Sequence, residues 1–127
     1  NTGKTTFIKS LIPVLKTKGR VAVIKHLADH DFILEPGKDT TGFFEAGAEV
    51  SAGIDAHKSV VALHTSSLDA MLALLKTLGM DFIVIEGFKD RSYKKIVIGD
   101  LQVEGCILRN PAVQDVIASI DLFDTYR

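Results

Sequence analysis

Apolar and polar positions along the chain alternate between a helical spacing and short, continuous apolar runs. The helical spacing predicts helices over residues 4–18, 41–48 and 68–78, and a last helix that starts at Asn110-Pro111. The apolar runs predict strands over residues 20–26, 50–52, 60–64, 81–86, 94–98 and 103–108. A strand that follows a helix after one glycine is typical of a crossover between parallel strands. The pattern therefore predicts an α/β fold with a mostly parallel sheet.

The ends of the predicted helices carry residues that favour starting or stopping a helix. Gly19 should end the first helix, and Pro13 inside that helix should bend it. Ser67 is suited to cap the helix over residues 68–78. Asn110 is suited to cap the last helix, with Pro111 at its first position.

Length and composition indicate one globular domain over residues 1–127. Apolar residues make up 46% of the chain, and the net charge of −1 comes from interspersed acids and bases, which argues against nucleic-acid and membrane partners. Cys106 is the only cysteine, so no disulfide can form within the chain. Together with the lack of a signal peptide or a long apolar run, this predicts a cytoplasmic protein.

The first six residues, Asn1-Thr2-Gly3-Lys4-Thr5-Thr6, match the closing half of the phosphate-binding loop G-x-x-x-x-G-K-[ST]. The opening glycine and the first strand of such a fold would precede them and are missing from this sequence. Backbone N–H groups at the helix start favour an anion. Lys4 would reach the β- and γ-phosphates, Thr5 would complete a Mg²⁺ shell, and Thr6 could donate to the α-phosphate. The alternative is an ordinary helix start with a glycine and a polar cap.

An acid at the end of the apolar strand over residues 81–86 supplies a second part of the predicted site. In nucleoside triphosphatases with this loop, such a strand ends in an acid that holds the magnesium shell, and Glu86 has that position. Gly87 would let the backbone approach the γ-phosphate closely. Asp31, in the polar loop over residues 27–40, could bind the metal's water or orient an attacking water. The alternatives are a strand that merely ends in a charge and a turn, and a solvated loop acid.

Histidines and basic residues near these loops are further candidates. His26 and His30 are four residues apart, but no nearby cysteine or helix supports zinc, so a phosphate contact or a loop hydrogen bond is the preferred interpretation. Basic residues after the Glu86-Gly87 turn either attract an anionic ligand or form a solvated turn. They are Lys89, Arg91, Lys94 and Lys95, and Lys38 lies in the earlier loop.

A series of motifs follows one order along roughly residues 1–99. They are the first six residues, Val21–His26, His30-Asp31-Phe32, Pro36–Asp39, Glu45–Ala48 and Ile85–Lys89. In this order and spacing the sequence resembles the family of molybdopterin-guanine dinucleotide biosynthesis protein B, called MobB. The tail resembles the family only loosely. The resemblance implies a GTP-binding protein with a P-loop NTPase-like, three-layer fold.

The resemblance also implies GTP and Mg²⁺ as cofactors, weak GTP hydrolysis and a homodimer. The partners would be the guanylyltransferase that attaches GMP to molybdopterin, and molybdopterin-carrying proteins. By this resemblance the residues that bind the nucleotide are Asn1, Thr2, Gly3, Lys4, Thr5, Thr6, His30, Lys38, Gly87 and Lys89. The metal would be held by Thr5 and Glu86, and the catalytic candidates are Asp31 and Glu86.

One segment departs from the family, and two other functions fit the residues. Gly42-Phe43-Phe44 stands where family members commonly have basic residues, so part of a contact to an anionic cofactor would be absent. A small-molecule or nucleotide kinase would use the same loop, but it normally needs an arginine-bearing lid, and residues 27–40 contain no arginine. A structural interaction module would not bind nucleotide at all.

Overall fold

The computed structural model of the protein describes residues 3–126. The described residues divide into two compact units, one of residues 3–26 with 72–126 and one of Leu27–Met71. In chain order the elements are α1 (Lys4–Leu15), β1 (Val21–Lys25), α2 (Asp39–Glu45), β2 (Val50–Ile54), β3 (Ser59–Leu63), α3 (Leu68–Thr77), β4 (Phe82–Glu86), β5 (Lys95–Val97), β6 (Cys106–Arg109), α4 (Val113–Ala118) and a 3₁₀ turn (Ile120–Leu122).

The described strands form three two-stranded sheets. β1 and β4 are parallel, in a register that runs from Val21 opposite Phe82 to Lys25 opposite Glu86. β5 and β6 are also parallel, whereas β2 and β3 form an antiparallel hairpin. The predicted α/β class with parallel strands is confirmed. The described strands do not form the predicted single sheet, because no hydrogen-bonded strand joins the two parallel pairs.

The core of the first unit lies where α1 and α4 pack on the strands. Leu11 and Leu15 are one helical turn apart on α1 and meet Val116 of α4, and all three are at most 3% exposed. Val84 of β4 and Ile96 of β5 pack against this cluster. Burying each leucine side chain stabilises the fold by about 1.5–3 kcal/mol. Both parallel pairs therefore share one core, which fixes α1 against them.

The turn between α1 and β1 fixes the amino ends of the first parallel pair. Gly19 fits there because a Cβ at this position would lie 2.7 Å from a carboxylate oxygen of Asp81. The same carboxylate accepts a 2.8 Å hydrogen bond from the backbone N–H of Arg20. The backbone N–H of Asp81 donates in return to the carbonyl of Arg20 at 2.9 Å. These contacts align the first residues of β1 and β4, so the register places Lys25 opposite Glu86 at the carboxyl ends of the two strands.

In the second unit, α2 packs on one side of the β2–β3 hairpin. The hydroxyl of Ser51 donates to the carbonyl of Thr40 at 2.7 Å, and Ser51 is buried. Side chains alternate between the two sides of a strand, so the opposite side of the hairpin carries Val50, Ile54 and Val61. These three are 54%, 81% and 50% exposed. We call this apolar surface the hairpin face.

Asp55 closes the turn of the hairpin. Its carboxylate accepts hydrogen bonds from the backbone N–H groups of His57 and Lys58 at 2.7 and 2.9 Å. The Lys58 ammonium also donates to it at 2.8 Å. The Lys58 ammonium makes the largest contribution to lowering the pKa of Asp55 below its usual value, and the two backbone donors lower it further. The turn therefore keeps a charged cap at neutral pH, which supports the register of the hairpin.

Several predicted boundaries were wrong by a few residues. α1 continues through Pro13 but ends at Leu15, not at residue 18. After Leu15 the hydrogen bonds span three residues instead of four: the N–H of Thr17 donates to the carbonyl of Val14, and that of Lys18 donates to the carbonyl of Leu15. The hairpin strands are Val50–Ile54 and Ser59–Leu63 instead of 50–52 and 60–64, and β6 starts at Cys106, not at residue 103.

The start of the last helix was also wrong. Asn110 has a positive φ of 47°, which is unsuited to a helix cap, and its side chain pairs with Gly99 instead. The Asn110 carboxamide accepts a 2.7 Å hydrogen bond from the Gly99 N–H. The helix begins at Val113, where the carboxylate of Asp115 accepts a 2.8 Å hydrogen bond from the N–H of Ala112. The hydrogen bond between Gly99 and Asn110, which joins the segments after β5 and β6, therefore decides the conformation of Asn110, although Asn-Pro is a typical helix start.

Candidate phosphate-binding site

The start of α1 presents backbone donors at the Gly-Lys-Thr-Thr motif. Gly3 takes a left-handed conformation at φ 92°, and its carbonyl accepts the N–H of Phe7 at 2.9 Å, which closes the first turn. Among residues 3–126, no side-chain hydrogen bond caps this end of the helix. Helix starts of this kind offer backbone N–H groups to an anion. The phosphate loop and the ordinary helix start both stay predictions.

The side chains of the motif are accessible at this helix start. Thr5 and Thr6 are exposed, and Lys4 is half-buried. Asn1 and Thr2, which the sequence also assigns to the nucleotide, lie outside the described residues. The described part of the motif thus offers an ammonium group, two hydroxyls and backbone donors at one helix end.

Glu86 ends β4 beside an unexpected cation. Its carboxylate lies 3.6 Å from the Lys25 ammonium, and the side chains are 16% and 54% exposed respectively. The pair forms because the two residues are opposite each other at the ends of parallel strands. Sequence reasoning did not assign a role to Lys25, and the only signal for it was its place at the end of the predicted β1. The predicted metal-binding acid is therefore already partly neutralised.

Gly87 lies in close contact with His26, and its predicted approach to a γ-phosphate stays a prediction. A Cβ on Gly87, whose φ is 96°, would lie 2.7 Å from the Cβ of His26. The next residue, Phe88, also has a positive φ, 53°, and its ring stacks on the His26 ring at 4.0 Å with an angle of 11°. The close approach that requires glycine here is to His26, within the protein.

The candidates of the loop over residues 27–40 lie in the second unit. His30 and Asp31 are exposed. Lys38 forms an ion pair with Glu35 at 3.3 Å, and both side chains are about two-thirds exposed. Such surface pairs contribute little, about 0–1 kcal/mol, so the Lys38 ammonium remains available to an anion.

The basic residues after Gly87 divide into two groups. The Lys95 ammonium donates to the carbonyls of Arg91 and Tyr93 at 2.7 and 3.0 Å, and the Arg91 guanidinium lies over the Tyr93 ring at 5.4 Å. These two cations therefore stabilise their own turn. Lys89 and Lys94 have exposed side chains. Of these two, Lys89 is the one that the sequence assigned to the nucleotide, and it is closer in sequence to Glu86 than Lys94 is.

Residues 3–126 contain no group of three or more His, Cys, Asp or Glu side chains that would hold a metal by themselves. A magnesium ion held by Thr5 and Glu86 would thus take its other ligands from phosphate oxygens and water. That division is typical of Mg²⁺, which usually keeps several waters and binds one or two protein groups plus substrate phosphates.

An open groove of about 530 Å³ adjoins the helix start. Its volume lies within the roughly 300–1,000 Å³ of small-molecule sites. The groove has apolar walls with hydroxyl groups on one side. Its main lining residues are Thr6, Phe7 and Ser10 of α1, with Ile98, Pro111 and Ala112 from the segments that follow β5 and β6.

These features define a class of protein. A helix that starts at Gly-Lys-Thr-Thr and packs on parallel strands with charged groups at their carboxyl ends belongs to an α/β protein. The chain belongs to the family described as molybdopterin guanine dinucleotide synthesis protein B, MobB, whose family model matches residues 1–121. The resemblance inferred from the motif series is thereby confirmed.

Relatives with established names are similar to most of this chain. The molybdopterin-guanine dinucleotide biosynthesis adapter protein of Escherichia coli strain K12 is 38% identical over 106 residues, which cover 76% of this chain and 59% of that protein. The probable adapter protein of the same name from Bacillus subtilis strain 168 is 35% identical over 105 residues, with coverage of 77% and 59%. The chain thus spans less than two thirds of the length of these relatives.

Solved structures share the fold. The crystal structure of Bacillus subtilis MobB matches with a TM-score of 0.70 at 21% identity, and the match covers 99% of this chain and 94% of that one. A crystal structure of molybdopterin-guanine biosynthesis protein B matches with a TM-score of 0.67 at 23% identity, covering 96% and 92%. The similarity agrees with the α/β class. Within residues 3–126, no helix is both long and apolar enough to cross a membrane.

Proposed function

We propose that this protein is a GTP-binding adapter in the synthesis of molybdopterin guanine dinucleotide. Its family membership supports the pathway, and the E. coli relative carries the name of an adapter protein. The observation that carries nucleotide binding is the start of α1, where Lys4, Thr5 and Thr6 follow the left-handed Gly3. A phosphate group would satisfy these donors and gain from the positive end of the helix dipole.

The described residues fit a magnesium nucleotide. Lys4 would neutralise phosphate charge, the Thr5 hydroxyl and the Glu86 carboxylate would hold the metal shell, and Gly87 and Lys89 would border it. His30 and Lys38 are proposed nucleotide ligands on the strength of the family resemblance. Bound Mg²⁺ would supply positive charge that stabilises the negative charge developing on the phosphates, and Asp31 is the residue proposed to orient the attacking water in a weak GTPase reaction that releases GDP and phosphate.

The groove beside α1 provides space for the nucleoside part of the same ligand. Its lining includes Gly3 and Thr6 of the predicted phosphate-binding motif, together with Phe7 and Ile98. Ligands of parallel α/β proteins bind at the carboxyl ends of the strands, and the groove follows the ends of β5 and β6. A base would find apolar walls there, with the Ser10 hydroxyl within the same groove.

We also propose that the two parallel strand pairs belong to one sheet of a P-loop NTPase-like, three-layer fold. The residues of β4 are apolar up to Glu86 and half-buried throughout, yet the strand has a single neighbour among the described strands. Strands that are apolar on both faces are typical of the centre of a parallel sheet. This pattern supports the proposal of a single sheet in which β4 is a central strand.

The proposed partners are a second copy of this chain and the molybdopterin guanylyltransferase, together with molybdopterin-carrying proteins in the cytoplasm. The hairpin face supports the homodimer. In the second unit only Thr41, Ser51 and Leu68 are buried, while Phe32 and Ile54 are 77% and 81% exposed. Exposed apolar side chains grouped on one side of a sheet, as on the hairpin face, mark interaction sites in soluble proteins.

Isothermal titration with GTP and Mg²⁺ tests the proposal. Lys4→Ala should weaken GTP binding roughly ten- to a hundredfold, because it removes a charge-assisted contact to phosphate. Lys9→Ala is the matched control, since Lys9 is an exposed lysine of the same helix. Equal GTP and ATP affinities would contradict the guanine preference. Phosphoryl transfer to an acceptor faster than hydrolysis would favour a kinase, and no binding would favour a structural module.

A further inference from the structure

His26 holds the segment that follows Glu86 in an unusual conformation. Its backbone N–H donates to the carbonyl of Glu86 at 2.9 Å, and its ring stacks on that of Phe88. The intervening Gly87 has no room for a side chain because the Cβ of His26 occupies that space. His26 therefore contacts three consecutive residues of the segment by a hydrogen bond, a close approach and a ring stack.

The segment needs such support because two consecutive residues have positive φ angles. Gly87 tolerates its φ of 96°, but Phe88 at 53° takes a conformation that residues with a Cβ seldom adopt. Conformations of this type persist only where surrounding contacts over-determine them. The nearly parallel rings of His26 and Phe88 supply one such contact, since stacked aromatic pairs stabilise beyond the area they bury.

We propose that His26 is a positioning residue for the nucleotide site. The inference rests on the proposed function, in which Glu86 holds the magnesium shell and Lys89 borders it. The stack fixes the chain direction between these two residues, so the carboxylate and the ammonium project from a defined turn. His26 needs no contact with the nucleotide for this role, and its ring is used for stacking rather than for a nitrogen ligand.

Three variants distinguish positioning through the ring stack from direct binding through a ring nitrogen. His26→Ala removes the stack, His26→Phe keeps an aromatic ring but removes both ring nitrogens, and His64→Ala is the matched control. His64 forms a similar stack with Phe44, at 3.7 Å and 6°, but it lies in the second unit. GTP affinity is measured for each variant by calorimetry, with Mg²⁺ and with the metal chelated.

His26→Ala should lower the affinity for Mg²⁺-GTP about two- to tenfold, the range that corresponds to loss of one aromatic stack. Its affinity for GTP without metal should fall by a smaller factor, because only the Lys89 contact is disturbed while Lys4 and the α1 donors are intact. His26→Phe should restore both affinities, and His64→Ala should affect neither. A loss of metal-free affinity as large as the loss with Mg²⁺ would overturn the proposal, and so would a His26→Phe variant as weak as His26→Ala.

Hydrogen exchange of the backbone amides over residues 86–89 gives a readout that does not depend on nucleotide. His26→Ala should accelerate exchange there, whereas His26→Phe should retain the wild-type rate. If the wild-type protein does not bind GTP, the proposed function fails, and the exchange result still decides whether His26 orders this segment. Unchanged exchange in His26→Ala would refute the positioning role on its own.

Discussion

Gly87→Ala offers the sharpest test of how the end of β4 is built. The new Cβ would lie 2.7 Å from the Cβ of His26, whereas non-bonded carbon atoms normally stay about 3.5 Å or more apart. The substitution therefore forces either the backbone after Glu86 or the His26 backbone to move. Alanine would also be held at a φ of 96°, which is costly for a residue with a Cβ.

The expected loss of stability has two parts. A left-handed conformation costs a non-glycine residue about 1–2 kcal/mol. Displacing His26 would disturb its stack with Phe88, and stacked aromatic pairs contribute about 0.5–1.5 kcal/mol. The free energy of unfolding should thus fall by about 2–3 kcal/mol, and for a protein of this size the melting temperature should fall by roughly 8–12 °C.

Gly99→Ala is the matched control for the backbone part. Gly99 has a φ of 106°, but a Cβ there would meet no atom within 4 Å. Chemical and thermal denaturation, followed by circular dichroism, should show a loss of only about 1–2 kcal/mol for this variant. Equal losses for the two variants would refute the steric role assigned to His26. His26→Gly, which removes the opposing Cβ, should recover part of the stability of Gly87→Ala, whereas His26→Ala should not.

Two further predictions concern the groove and the hairpin face. Ala112→Phe should fill the groove and weaken GTP binding at least tenfold in calorimetry, with tripolyphosphate binding unchanged. Ala118→Phe, at the end of the helix that follows Ala112, should leave both affinities unchanged. Equal losses for GTP and tripolyphosphate would contradict a nucleoside in the groove. Ile54→Asp should convert a dimer to monomers in light scattering, whereas Val60→Asp, on the other side of the hairpin, should not. A dimer that tolerates Ile54→Asp would not use the hairpin face.

Local signals in the sequence were sufficient for most elements of the fold. The apolar run before Glu86 predicted β4, and Ser67 caps α3 as predicted, accepting the N–H of Ala70 at 3.1 Å. Gly79 ends that helix with a left-handed φ of 80°. At the two helix ends the deciding interaction lies within a few residues along the chain, so a pattern of residue types carries the information.

The features that were predicted wrongly or missed depend on contacts between residues that are distant in sequence. Asn110-Pro111 has the composition of a helix start, but Asn110 is held by Gly99, eleven positions earlier. The stack of Phe88 on His26 and the close approach at Gly87 also join separate strands. Such contacts depend on which strands are neighbours and in what register. The predicted approach of Gly87 to a γ-phosphate stays a prediction, whereas its contact with His26 could be identified only from the structure.

The pairing of Lys25 with Glu86 bears directly on the predicted metal site. The pair depends on register, which the Arg20–Asp81 contacts set at the other end of the strands. At 3.6 Å, with Lys25 half exposed, the ion pair should contribute only about 0–1 kcal/mol. An exposed ammonium on a flexible stem can turn to solvent or to a phosphate when a divalent cation takes the carboxylate. Lys25 therefore balances the charge of Glu86 without blocking it, and the structure remains compatible with magnesium at this strand end.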